Sequence, residues 1–177
     1  MFNFKKLCKN LNMENLSKKD ILQKVIISLS ESVKKAGQSL SLMNNDINDA
    51  PGAMQSHSDT TRFQLTSIVD GLEKSYQEKS KELELLNQFL QTDFNNSKFD
   101  ISVIGSVVTI KKSNNLLENY FIVPGGSGIK VDYNGKKIVC ITPASPLGKA
   151  IIGKKKGQSF AYSIGGMSQN IEMIEIF

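Results

Sequence analysis

The sequence predicts an α+β protein: a long N-terminal antiparallel helical hairpin, a coiled coil, followed by a small β domain with one short helix. Three observations predict it. Two heptad stripes run through the N-terminal half, short β-rich runs broken by turns fill the C-terminal half, and a proline-bracketed serine opens a brief helical pattern late in the chain. With 177 residues, 40% of them apolar, the chain can hold one ordinary domain or two small ones with a core.

The first stripe occupies residues 17–43. Leu22, Leu29, Ala36 and Met43 recur every seven residues, and Ile26, Val33 and Leu40 follow the first three of them by four. Such a two-position stripe is a coiled-coil seam. Ser17 before Lys18-Lys19-Asp20 reads as a capping box with Asp in place of Glu. Gly37 inside the stripe costs about 1 kcal/mol against Ala. The second stripe, over residues 62–92, puts Val69, Tyr76, Leu83 and Leu90 on one position and Leu65, Leu72, Lys79 and Leu86 on the other. Each helix would reach roughly 40 Å or a little more at 1.5 Å per residue. Residues 44–60 between them are rich in Asn, Asp, Ser, Pro and Gly, which favours turns over helix and makes this segment the tip of the hairpin.

From residue 98 onward, strands are expected over 101–110, 119–123, 128–131, 137–141, 158–164 and 170–176, with turns at Pro124-Gly125-Gly126 and Asn134-Gly135. Ser145 caps the short helix and Pro146 lies in its first turn, where a missing N–H costs nothing. Leu147, Ala150 and Ile151 share one face, and Gly153 and Gly157 stop the helix and turn the chain around Lys154, Lys155 and Lys156. The boundary falls between residues 1–97 and 98–177. Residues 93–99 are mostly polar, so few contacts are expected to cross them and the two parts are expected to fold separately.

Charge is divided unevenly. Residues 1–97 carry 12 Lys/Arg and 12 Asp/Glu, whereas residues 98–177 carry 10 Lys and 5 acids, which is the whole of the net +5. The excess suits a nucleic acid or an acidic protein surface, or simply solubility. Cys8, Cys140 and the single His57 cannot assemble a disulfide framework or a zinc site, so a reducing cytoplasm is the default expectation. No stretch approaches the ~18 apolar residues of a membrane span, and Met1–Leu7 lacks a following apolar region, so a soluble, unsecreted protein is expected.

The run Ser145-Pro146-Leu147-Gly148-Lys149-Ala150 through Gly153-Lys154, followed by Ser159-Phe160-Ala161-Tyr162, Gly165-Gly166 and Ile171-Glu172-Met173-Ile174-Glu175-Ile176, resembles the C-terminal domain of the Gre family of bacterial transcription elongation factors (GreA/GreB). Val103-Ile104-Gly105-Ser106-Val107-Val108 is similar to the opening strand of that domain, and Tyr120-Phe121-Ile122-Val123-Pro124-Gly125-Gly126 is closer to its shorter, divergent homologues. The resemblance implies an FKBP-like fold for the β domain and a bacterial RNA polymerase as partner. It implies docking beside the secondary channel through Ser145, Pro146, Leu147 and Lys149, although helix capping explains Ser145 and Pro146 equally well. Lys154, Lys155 and Lys156 would meet acidic polymerase or RNA phosphates, or remain a solvated run. The coiled coil would enter the channel and bring tip carboxylates to the RNA 3′ end, where they help the polymerase hold a second Mg²⁺ for cleavage of backtracked RNA. A factor of this kind is not an enzyme, binds no cofactor or metal alone, takes no small-molecule substrate, touches no membrane and acts in the cytoplasm.

The family's tip places an Asp and a Glu three residues apart after His-Gly. The nearest match is His57-Ser58-Asp59-Thr60-Thr61-Arg62, which puts Asp59 on the first acid and Arg62 on the second, while a short slip puts Asp59 on the second acid and Ser56 on the first. Either way one carboxylate is missing. Asp46 and Asp49 are read as solvated turn residues that could supply a further oxygen, Asp59 can also cap the second helix, and His57 is a surface residue rather than a ligand. Two other functions stay open: a regulator that occupies the channel without stimulating cleavage, which the missing acid favours, and an FKBP-like peptide-binding module, for which the β domain is short of aromatic residues.

Overall fold

In a computed structural model, which describes residues 17–49, 59–94 and 100–177, two helices of 32 residues, α1 (Lys18–Asp49) and α2 (Asp59–Leu90), form the hairpin. Both heptad stripes lie in its seam. Leu22, Leu29, Val69 and Leu86 are buried, and Val33, Ala36, Leu40, Leu65, Leu72 and Tyr76 are half-buried. Gly37 has a packing reason, since a Cβ there would stand 3.2 Å from Cε2 of Tyr76 on the opposite helix. Ser17 caps α1 as its sequence suggests, its hydroxyl accepting from the Asp20 N–H at 3.2 Å. At the hairpin base, the buried Lys18 donates to the Phe94 carbonyl at 3.3 Å, which ties the start of α1 to the chain leaving α2; burial lowers the pKa of its ammonium.

The tip is shorter than expected. Residues 44–49 continue α1 and Asp59 already opens α2, so the connection narrows to residues 50–58, which with His57 and Ser56 lie outside the described residues. Asn and Asp are only weakly unfavourable in a helix, and Ile47 falls on the next seam position after Leu40.

The C-terminal part is a six-stranded sheet of order β3-β4-β2-β1-β6-β5: β1 (Val107–Lys112), β2 (Leu117–Ile122), β3 (Lys130–Tyr133), β4 (Lys136–Ile141), β5 (Ser159–Ile164) and β6 (Met167–Ile176), with the short helix α3 (Pro146–Ile151) between β4 and β5. Among the described residues only β2 and β4 pair in parallel. Asn134-Gly135 makes the expected two-residue hairpin turn, both residues having positive φ. The expected strand over 101–110 begins only at Val107. Gly105, at φ +94°, turns the chain beneath Phe89 and Phe94, where a side chain would stand 3.2 Å from each.

Alternation along the strands gives the sheet two apolar faces. Val108, Ile110, Tyr120, Ile122 and Ile141 pack with Ile171, Met173 and Ile151 of α3. Val107, Phe121, Val123, Val131, Ile138 and Cys140 pack against Ile21, Leu22, Val25 and Leu29 of α1, Leu86 of α2 and Phe94. This second cluster corrects the expectation that few contacts join the two parts. The base of the hairpin is one wall of the β-domain core.

Candidate functional site

Two regions carry the residues singled out in the sequence, and the shared core fixes one relative to the other. The first is the far end of the hairpin. Asp46 and Asp49 lie in the last turns of α1, and Asp59 is the first residue of α2. All three therefore sit at the same end of the hairpin, yet the helix fields treat them differently. A carboxylate is favoured at the N-terminus of a helix and disfavoured at the C-terminus, by about 0.3–1 kcal/mol. Asp59 stands where the field helps it. Asp46 and Asp49 stand where it opposes them, with no basic residue in that turn of α1, and they are helical rather than the turn residues expected from sequence. Asp46 and Asp49 are three residues apart, without the His-Gly that precedes the acids of the family's tip.

The second region is α3 and the loop after it. The Ser145 hydroxyl accepts from the Gly148 N–H at 3.0 Å and donates to the Thr142 carbonyl at 2.8 Å, so it is engaged as the helix cap. Gly148 admits nothing larger, because a Cβ would stand 2.0 Å from that carbonyl oxygen. Pro146 and Lys149 face outward, whereas Leu147 is half-buried on the sheet. Lys154 lies with its ammonium 5.3 Å from the centre of the Phe160 ring, Lys156 pairs with Glu175 at 2.6 Å, and Lys155 is exposed. The three lysines are thus not a uniform solvated run.

Sequence reasoning missed Ser102, placed within a supposed strand. It is fully buried and clamps the loop after α3: its hydroxyl donates to the Ile151 carbonyl at 2.5 Å, its N–H to the Lys154 carbonyl at 2.9 Å, and its own carbonyl accepts from Gly153 at 2.8 Å. A serine within an apolar run was the available signal. The clamp brings together segments that expose Ile101, Ile104 and Ile152, adding an apolar component beside Lys155.

The joint between the regions is Gly125-Gly126. A Cβ on Gly125 would stand 3.1 Å from the Glu82 carbonyl oxygen, and one on Gly126 would stand 3.2–3.3 Å from Val25, Ile129 and Leu86. The Gly126 N–H donates to Glu82 Oε2 at 3.1 Å. This turn docks directly against α2.

Residues 98–177 match the model of the family described as transcription elongation factor, GreA/GreB, C-terminal. The C-terminal domain is of the GreA/GreB type. The match covers 80 of the 177 residues and stops short of the hairpin that precedes it. Among solved structures the chain is similar to Gfh1 of Thermus aquaticus, at 15% identity with 84% of this chain and 91% of that chain covered and a TM-score of 0.36. Gfh1 (GreA factor homolog 1) of Thermus thermophilus matches at 14% identity, 86% and 94% coverage and a TM-score of 0.35. A prokaryotic transcription elongation factor GreA/GreB from Nitrosomonas europaea matches at 17%, 55% and 78%, with a TM-score of 0.34. These likenesses are too loose to transfer any residue role. A comparison with curated proteins gives no match. No described helix of this Gre-like chain is long and apolar enough to cross a membrane.

Proposed function

We propose that this Gre-like chain is a cytoplasmic factor that binds bacterial RNA polymerase at its secondary channel and acts on backtracked or paused elongation complexes. The observation that carries the reading is the union of a GreA/GreB-type C-terminal domain with a long hairpin, through one core, with carboxylate-bearing residues at the far end. From Leu29, buried in α1 at the base, to Asp49 is 20 residues, roughly 30 Å of helix. Leu42, Phe63 and Ile68 are exposed on this part of the hairpin at 66%, 76% and 47%, apolar surface suited to a protein-lined channel. Pro146, Lys149 and the Ile101/Ile104/Ile152 patch would dock the β domain outside, while the Ser145 cap and the Ser102 clamp hold their loops in shape.

At the tip end of the hairpin, Asp46, Asp49 and Asp59 are the residues that bear hard oxygen donors. The polymerase's second Mg²⁺, when bound, supplies the activation of water for RNA cleavage. The chain's own part is to carry and orient the carboxylates; it is not itself an enzyme, and it holds no metal when alone. Keeping two acids against the field of α1 is costly to the fold and explicable by this role.

Transcript cleavage on stalled, backtracked complexes tests the reading. Wild type should stimulate cleavage, and Asp46→Asn or Asp49→Asn should each cut the stimulation by about tenfold or more, the worth of one charge-assisted contact, with polymerase binding kept. Binding without any stimulation would instead favour a channel-occupying regulator, a reading supported by Arg62 standing three residues after Asp59.

A further inference from the structure

The two edges of the sheet are unequal. β3 is four residues long, carries Lys130 and Asp132, and is covered by α1, with Lys24 Nζ donating to the Asp132 carbonyl at 3.1 Å and the Ser17 N–H to the Tyr133 hydroxyl at 3.2 Å. Short length, charge and cover are the usual protections of an edge. β5, at the other end of the sheet order, has six residues, Ser159-Phe160-Ala161-Tyr162-Ser163-Ile164, with no charge and no proline. Among the described residues no strand pairs with its outer side.

The pairing of β5 with β6 determines what that outer side offers. Their loop is the two-residue Gly165-Gly166, both with positive φ, flanked by the pair Ile164 and Met167. In such a hairpin the flanking pair exchanges both hydrogen bonds, and every second pair does the same. Tyr162 and Phe160 therefore bond to β6 through Gln169 and Ile171. Ser159, Ala161 and Ser163 point their N–H and C=O groups outward, and all three are exposed.

We infer that β5 is a self-pairing edge whose occupant is the β5 of a second copy, running antiparallel about a two-fold axis at Ala161. This register is the one in which every outward-pointing group meets an outward-pointing group: Ser159 opposes Ser163 of the copy and Ala161 opposes Ala161. Phe160 then stands directly across from Tyr162 of the copy, twice, in the closely spaced non-bonded positions where aromatic pairs contribute most. An isologous contact also closes on itself, so it yields a dimer rather than a fibre.

Sedimentation of the full chain over a rising concentration series should show twice the monomer mass at the upper end. Ala161→Lys places like charges opposite each other on the axis and should leave a monomer with an unchanged circular dichroism spectrum and melting curve, since Ala161 is exposed. In a Cys8→Ser background, Ala161→Cys should form an intermolecular disulfide under mild oxidation, because bonded antiparallel pairs hold their Cα atoms about 5.5 Å apart. Ser163→Cys should not, because its counterpart lies four positions along, roughly 13 Å away. A wild-type chain that stays monomeric at all concentrations, a dimer that survives Ala161→Lys, or equal cross-linking at 161 and 163 would overturn the inference.

Discussion

The carboxylate of Glu118 on β2 is held at 2.7 Å by Lys112 Nζ and accepts the hydroxyl proton of Tyr120. Burial pushes the Glu118 carboxyl up, but the hydrogen bonds from Lys112 and Tyr120 and the Lys112 charge outweigh it and leave it below its ordinary value. Burial first, and then the Glu118 bond, push the Tyr120 hydroxyl well up. A carboxyl lowered by folding stabilises in full above its unfolded value, about 4.3, and that contribution is lost as pH falls through the folded value. The stability gap between wild type and Glu118→Gln, measured by urea unfolding, should therefore be widest above about pH 5.5 and narrow toward pH 3. A gap independent of pH would show that the pair contributes nothing through charge. At Cys140, burial raises the thiol to about 12. In a Cys8→Ser chain it should stay unmodified by a thiol reagent at pH 8 until denaturant is added, since the thiolate is the reactive form; rapid labelling of the native chain would mean that the sheet core opens readily.

Among the elements, the hairpin seam is tightened where Gly37 meets Tyr76. Replacing Gly37 by Ala should gain about 1 kcal/mol of helix propensity, yet the new methyl would arrive 3.2 Å from the ring edge, closer than ordinary contact. Gly37→Ala should therefore stabilise wild type by less than that propensity gain and recover more of it in a Tyr76→Leu background. Chemical denaturation of the four chains gives the coupling directly. Equal effects in both backgrounds would mean that Gly37 is not there for packing. In α3 the corresponding constraint is stricter, since Gly148 sits against the Thr142 carbonyl with no space for a Cβ.

For the whole molecule, the shared core governs how the parts separate. Residues 98–177 alone would uncover Val107, Phe121, Val123, Val131, Ile138 and Cys140 on the face that α1, α2 and Phe94 close. That fragment should bind a hydrophobic dye far more strongly than the full chain. A fragment with a sharp thermal transition and no more dye binding than the full chain would restore the separable arrangement expected from its linker. Within the full chain, Leu86→Ala should cost about 2–5 kcal/mol, because Leu86 is completely buried between hairpin and sheet, and it should loosen the reach of the tip as well as the fold.

The sequence alone determined the periodic features. Heptads place both helices, β-rich runs and the Asn134-Gly135 turn place most strands, and the Ser145-Pro146 start with the stops at Gly153 and Gly157 places α3, because each of these signals is local in the chain. It also carried the GreA/GreB resemblance. It could not show that Asn44–Asp49 stay helical, since weak helix formers there are outvoted by the stripe that Ile47 continues. Nor could it show that Gly105 ends an apparent strand, that Ser102 clamps the loop after α3, or that Gly125-Gly126 presses on Glu82. Those are contacts between residues tens of positions apart, and only the closing of the sheet onto the base of the hairpin brings them together.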